Sequence, residues 1–208
     1  MTDPDLPVRS PPFTPTREAC VAGVVLAAGT SSRYGDANKL LADLDGGPVV
    51  ARSVRTYLDA AVDPVVVVVG HEAERVRTTL PEGVRVVHNP DYAAGQASSV
   101  RVGIAAVAGA GADAAVVGLG DMPFVRAETV TTLVRAFRAG AGDPLAAAVD
   151  GHRGNPVCFG APWFDDLRDV DGDVGGREIL STAPDAALVE TDDPGVRRDV
   201  DRPTDLPE

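Results

Sequence analysis

Five short stretches of this chain are apolar almost without interruption: residues 22–28 (AGVVLAA), 64–70 (PVVVVVG), 84–88 (VRVVH), 114–119 (AAVVGL) and 145–150 (LAAAVD). A half-exposed strand would alternate polar and apolar residues, so runs of this kind predict strands covered on both faces, as in a parallel sheet. Parallel strands need crossovers. Residues 48–61, 72–80, 97–108 and 126–139 supply them, each with apolar residues recurring at three- and four-residue intervals. Beyond residue 150, the stretches 156–160, 187–201 in part (187–191 and 196–201) read as shorter strands around a helical segment at 178–182. The expected fold is a three-layer α/β/α, Rossmann-like domain with a mostly parallel, mixed central sheet.

At 208 residues and 44% hydrophobic content, the chain is expected to form one domain, residues 20–208. Residues 1–19 form a proline-rich tail, with prolines at 4, 7, 11, 12 and 15 that forbid regular helix; it is expected to be extended and poorly ordered. Thirty-one acidic against 19 basic residues give a formal charge of −12, which opposes binding to nucleic acid or an anionic membrane surface. No apolar stretch approaches the ~20 residues that span a bilayer. Cys20 and Cys158 are far apart, with no CxxC pattern, so a reduced, cytoplasmic setting is expected.

In such folds ligands bind beyond the carboxyl ends of the strands. The loop after the first run, Gly29 to Lys39, contains Thr30, Ser31, Ser32, Arg33, Gly35 and the chain's one lysine, among 19 cationic residues. Glycine admits a phosphate close to the backbone, hydroxyls and N–H groups donate to it, and Arg33 with Lys39 supply charge. Neither GxxxxGK[ST] nor GxGxxG is present. Asp121 follows the fourth run, in GLGDMP, where a carboxylate can hold Mg²⁺. Asp199 and Asp201 share a face by the two-residue period and offer a second carboxylate. Ser98 and Ser99, after Gly95, either donate to a nucleotide or cap a helix. His71 and His152 read as solvated loop residues.

Taken in order, LAAGTSSRYGDANKLL, HNPDYAAGQASSVRVG, GLGDMP, GHRGNPVCF, GDVGGREIL and DVDRPTDL resemble the molybdenum-cofactor cytidylyltransferases, over residues 22–206. The resemblance implies a nucleotidyltransferase fold and transfer of CMP from CTP to the phosphate of a molybdopterin-type cofactor, with Mg²⁺ required and pyrophosphate released. It also implies transient contact with a client molybdoenzyme. Carried over by position, Leu26, Ala27, Ala28, Gly29, Thr30, Ser31, Gly95, Ser98 and Ser99 meet the nucleotide. Arg33 and Lys39 take its phosphates, and with Asp121 they form the catalytic set. Asp121 and Asp201 hold the metal, while Arg153, Asn155 and Arg177 face the acceptor. The Ala-Ala-Gly form of the first motif accompanies CTP in this group, and the Ala-Gly-Gly form GTP.

The chain departs from the pattern at Tyr34, Asn155, Gly176 and Arg202. A phosphate nucleophile is already ionised at neutral pH, so the expected chemistry is positioning and charge neutralisation without a general base. Guanylyl or sugar-phosphate transfer, a glycosyltransferase with an Asp-x-Asp pair at Asp171/Asp173 or Asp199/Asp201, and a non-catalytic cofactor chaperone stay open as alternatives.

Overall fold

A computed structural model describes residues 6–31, 34–35, 37–169 and 176–207. Its eight strands are β1 (Val8–Arg9), β2 (Val21–Ala27), β3 (Val65–Val69), β4 (Arg85–His88), β5 (Ala114–Leu119), β6 (Leu145–Val149), β7 (His152–Gly160) and β8 (Ala187–Glu190). They form one sheet in the order β1-β8-β6-β7-β5-β2-β3-β4. Every pairing is parallel except those of β7, which runs antiparallel to β5 and β6.

The helices α1 (Val49–Leu58), α2 (Ala73–Arg77) and α4 (Ala127–Arg138) pack on one face, and α3 (Gln96–Ala108) with α5 (Phe164–Asp169) on the other. Strand periodicity explains the layering. Along β2, Val21, Val25 and Ala27 enter the core with Tyr57 of α1 and Leu133 of α4, while Ala22, Val24 and Leu26 enter the core with Ile104 of α3. A seven-residue strand buried at every position therefore needs apolar side chains on both sides. Gly103 lets α3 press directly on β2, since a Cβ there would lie 2.5 Å from Val24 Cγ1.

The β6–β7 connection is a two-residue hairpin whose Asp150 and Gly151 both have positive φ, 52° and 71°. That turn carries the right twist for a tight hairpin, and it starts β7 at residue 152, four residues before the expected strand. The helix α6 (Arg177–Thr182) closes the end of the sheet, with Leu180 against Ala146, Ala148 and Leu188.

Two expectations need correction. The expected strand at 196–201 is absent: Pro194–Arg197 is a 3-10 turn, capped by Asp193, whose side chain accepts from the Gly195 N–H at 2.9 Å. A proline at its start and a local acceptor favour a turn over a ladder. The proline-rich stretch is extended, but it belongs to the fold from residue 6 onward. Strand β1 pairs with β8, Phe13 packs on the core, and the Arg17 guanidinium lies 4.3 Å over the Phe137 ring. Prolines are tolerated on an edge strand, and this one covers the edge that β8 would otherwise expose.

Candidate active site

From β2 the chain winds outward through β3 and β4, then returns to place β5 on the opposite side of β2. The crevice at such a reversal opens at the carboxyl ends of β2 and β5. Two hydrogen bonds hold its floor together: the Gly120 N–H donates to the Leu26 carbonyl at 2.8 Å, and Ser53 Oγ of α1 donates to the Gly120 carbonyl at 2.9 Å. A Cβ on Gly120 would lie 3.1 Å from Ala27 Cβ, so the approach of the two strand ends relies on glycine. Asp121 comes next.

The carboxy-terminal segment is tied to the same point by the Val200 N–H, which donates to the Asp121 carbonyl at 2.8 Å. Val200 is fully buried with Leu44 and Val49. Its neighbours Asp199 and Asp201 point the other way, toward Asp121. The three residues offer carboxylate oxygens that all lie within 4.8 Å of one another. Two-residue alternation thus survives although the segment is not a strand.

Lys39 lies among these acids, with Nζ 2.6 Å from both Asp121 Oδ2 and Asp201 Oδ1. It is placed by a local network in which Asn38 Oδ1 accepts from the Leu40 N–H at 3.0 Å and from Ser31 Oγ at 3.2 Å. The Lys39 N–H donates to Ser31 Oγ, also at 3.2 Å. Burial works against the ammonium, but the charges and hydrogen bonds of Asp121 and Asp201 outweigh it and hold Lys39 above the ordinary lysine range. Burial pushes the Asp121 carboxyl up, and Lys39 offsets this only in part. A carboxylate in that position needs a cation beside it to stay ionised.

The residues fit a divalent metal. Asp121 Oδ1 is buried and has no hydrogen-bond partner among the described residues, so the lysine leaves one of its oxygens unsatisfied. Three converging carboxylates are a hard-oxygen donor set of the kind Mg²⁺ and Mn²⁺ take.

Two cavities meet at this point. The first, about 440 Å³, is bounded by Leu26, Ala27, Ala28, Gly29, Thr30 and Ser31 on the β2 side, with Lys39, Gly95, Ser99, Asp121 and Asp201 around it. A Cβ on Gly29 would meet nothing within 4 Å, so the loop is open there. The second, about 600 Å³, has an apolar floor including Val100, Val117 and Phe159, and a polar rim of Arg153, Asn155, Arg177 and Arg197. Leu26, Gln96, Leu119 and Asp199 border both. The expected phosphate residue Arg33 and its neighbour Ser32 lie outside the described residues, as do Asp171 and Asp173.

The amino end of α3 faces the first cavity, entered through Gly95 at φ 104°. Asn89, at the end of β4, fixes it by donating from Nδ2 to Ser98 Oγ at 2.8 Å and to Ser99 Oγ at 2.9 Å. Ser98 in turn donates to the Gly95 carbonyl at 2.8 Å and does not border the cavity, whereas Ser99 does. Neither serine caps the helix, whose cap is Gly95 without a side-chain bond; Ser98, inside the first turn, braces the helix start instead. Sequence reasoning missed Asn89, whose signal was an asparagine directly after an apolar run and before a proline. It also missed Gln96, Tyr92 and Arg197, which carry no local signal at all.

Residues 23–188 match the MobA-like NTP transferase domain. The chain belongs to that family. Nicotine blue oxidoreductase of Paenarthrobacter nicotinovorans is 32% identical over 191 residues, covering 88% of this chain and 92% of its own. Purine catabolism protein PucB of Bacillus subtilis is 30% identical over 205 residues, covering 90% and 94%. Among solved structures, Rv0371c of Mycobacterium tuberculosis superposes with a TM-score of 0.76 at 26% identity, covering 91% of this chain and 96% of that one. The same protein has been solved in complex with manganese, with a TM-score of 0.74 at 27% identity over 89% of this chain and 95% of that one.

This MobA-like protein is thus a nucleotidyltransferase with the Rossmann-like fold of its family. Its Lys39, Asp121, Asp199 and Asp201 converge at the strand-end crevice where a nucleotide is held in α/β sheets of this kind. A divalent metal suits the acidic group on chemical grounds. No helix among the described residues is long and apolar enough to cross a membrane.

Proposed function

We propose that this enzyme transfers CMP from CTP to the terminal phosphate of a molybdopterin-type cofactor in the cytoplasm, releasing pyrophosphate. The observation that carries the reading is the meeting of two unlike cavities at Leu119 and Asp199, beside Asp121 on the wall of the first. One cavity, rich in hydroxyls and backbone amides and served by Lys39, suits a nucleoside triphosphate. The other, with an apolar floor under guanidinium groups, suits a heterocyclic body that carries a phosphate. The ordered motifs point to the same pair of substrates.

On this reading, the loop at Gly29, Thr30 and Ser31 and the amino end of α3 hold the triphosphate, with Arg33 and Lys39 against its charge. Arg153, Asn155 and Arg177 hold the acceptor so that its phosphate oxygen enters from the shared wall. Asp121 and Asp201, with Asp199 beside them, hold Mg²⁺, which when bound neutralises charge on the reacting phosphates. No protein group has to remove a proton, because the attacking phosphate is already ionised. His152 is turned away to the hairpin, its Nδ1 2.8 Å from the Asp150 carbonyl. Release of product to a client molybdoenzyme would follow transfer.

The test is pyrophosphate release with CTP, GTP, ATP or UTP, each paired with molybdopterin-type cofactor or with sugar phosphates. The expected result is turnover for CTP with the cofactor. Preference for GTP, or turnover only on a sugar phosphate, would replace the donor or the acceptor. Tight cofactor binding with no turnover of any nucleotide would make the protein a carrier.

A further inference from the structure

We propose that Lys39 occupies the metal position of the nucleotide-free enzyme, and that the incoming triphosphate draws it away so that metal and nucleotide enter together. The inference rests on the reading of Asp121, Asp199 and Asp201 as the metal-holding group and goes beyond it.

The geometry is one of direct competition. Nζ takes Asp121 Oδ2 and Asp201 Oδ1 at 2.6 Å each. A divalent ion held by Asp121 and Asp201 would draw on the same two carboxylates that the ammonium bridges. Two cations cannot share those two atoms at those distances without strong repulsion. Yet the lysine is an incomplete substitute for a metal, because it leaves the buried Asp121 Oδ1 without a partner among the described residues. An unsatisfied buried oxygen is unfavourable, so the lysine-bridged arrangement favours exchange for an ion that can engage more of the carboxylate.

Lysine is suited to this exchange as arginine is not. Its charge is compact and sits on a flexible four-carbon stem, so Nζ can leave the carboxylates without the backbone moving. The backbone at Lys39 is itself pinned by Ser31 and Asn38, beside the loop that borders the first cavity. Phosphate oxygens bound along Gly29–Ser31 therefore offer the ammonium a second set of anions within reach of the same stem. The one lysine of a chain with 19 cationic residues stands where a small movable charge is needed.

The experiment measures Mn²⁺ binding to the full chain without nucleotide, from the paramagnetic resonance of free Mn²⁺. Lys39→Met is expected to tighten binding about tenfold or more relative to wild type, the equivalent of roughly one partly buried ion pair removed from competition. Lys39→Gln should do the same, and Lys39→Arg, which keeps a cation in place, should not. Thermal melting of each variant shows whether it is folded. If Lys39→Met and Lys39→Gln bind Mn²⁺ no tighter than wild type, the gating role is overturned. Adding Asp121→Asn to Lys39→Met separates the gating role from the metal assignment. Loss of Mn²⁺ binding in that double variant keeps the acidic group as the metal site whatever the single variants show. Unchanged binding would place the ion elsewhere and end both the gating role and the metal assignment.

Discussion

The two cavities differ in how they are built. The walls of the first are strand ends and a helix start, locked by buried hydrogen bonds: Ser53 to the Gly120 carbonyl, Gly120 to the Leu26 carbonyl, and Asn89 to Ser98 and Ser99. The rim of the second is set on the antiparallel strand β7, the start of α6 and the 3-10 turn Pro194–Arg197, and its Arg177 and Arg197 are exposed. Handling a triphosphate asks for fixed dipoles and charges, whose worth depends on preorganisation. Recognising a particular partner can be left to side chains on peripheral elements. The contrast predicts that damage to the first cavity lowers turnover, whereas damage to the second raises the requirement for acceptor.

The largest effect should come from the acidic group. Removing divalent metal by chelation is expected to abolish pyrophosphate release, with recovery on adding Mg²⁺ or Mn²⁺. Asp121→Ala should lower kcat on the order of 10³-fold, in line with loss of a preorganised electrostatic element. Full turnover in the presence of excess chelator would break the metal half of the comparison.

Lys39→Ala comes next, with a fall of about 10²-fold or more in turnover. A near-wild-type rate would show that the ammonium has no part in charge stabilisation.

Arg153→Ala and Arg177→Ala should leave the KM for nucleotide unchanged and raise the KM for acceptor about tenfold each, the signature of lost ground-state binding. If either variant instead raised the KM for CTP, the division of labour between the cavities would fail.

The smallest effect distinguishes two adjacent serines. Ser98→Ala should cost about 1 kcal/mol of stability, through loss of its bonds to Asn89 and Gly95, with little change in nucleotide KM. Ser99→Ala, at the cavity wall, should raise that KM. Urea unfolding and steady-state kinetics on the pair would reveal the difference, and equal kinetic effects would erase it.

Most of the layered fold was legible because unbroken valine and alanine runs have few alternatives. Val65–Val69, apolar at five successive positions, has to be covered on both faces. The strand-end location of Lys39 and Asp121 followed from the same pattern. The amino-terminal tail misled, because its prolines forbid helix but do not forbid edge pairing, and the vacancy beside β8 exists only once the sheet is assembled. The 196–201 stretch misled because its alternation was real but served to aim Asp199 and Asp201, with Val200 as the buried pivot, rather than to build a ladder.

By itself, then, the sequence determined the kind of sheet, the crossover helices and the chemistry available at the strand ends, since those depend on periodicity and residue type within short windows. Only the tertiary structure decided which carboxylates meet Lys39, that Asn89 holds the start of α3, and that two unlike cavities share a wall. Those are relations between residues as far apart as 39 and 201, and they arise from the order in which the strands lie in the sheet.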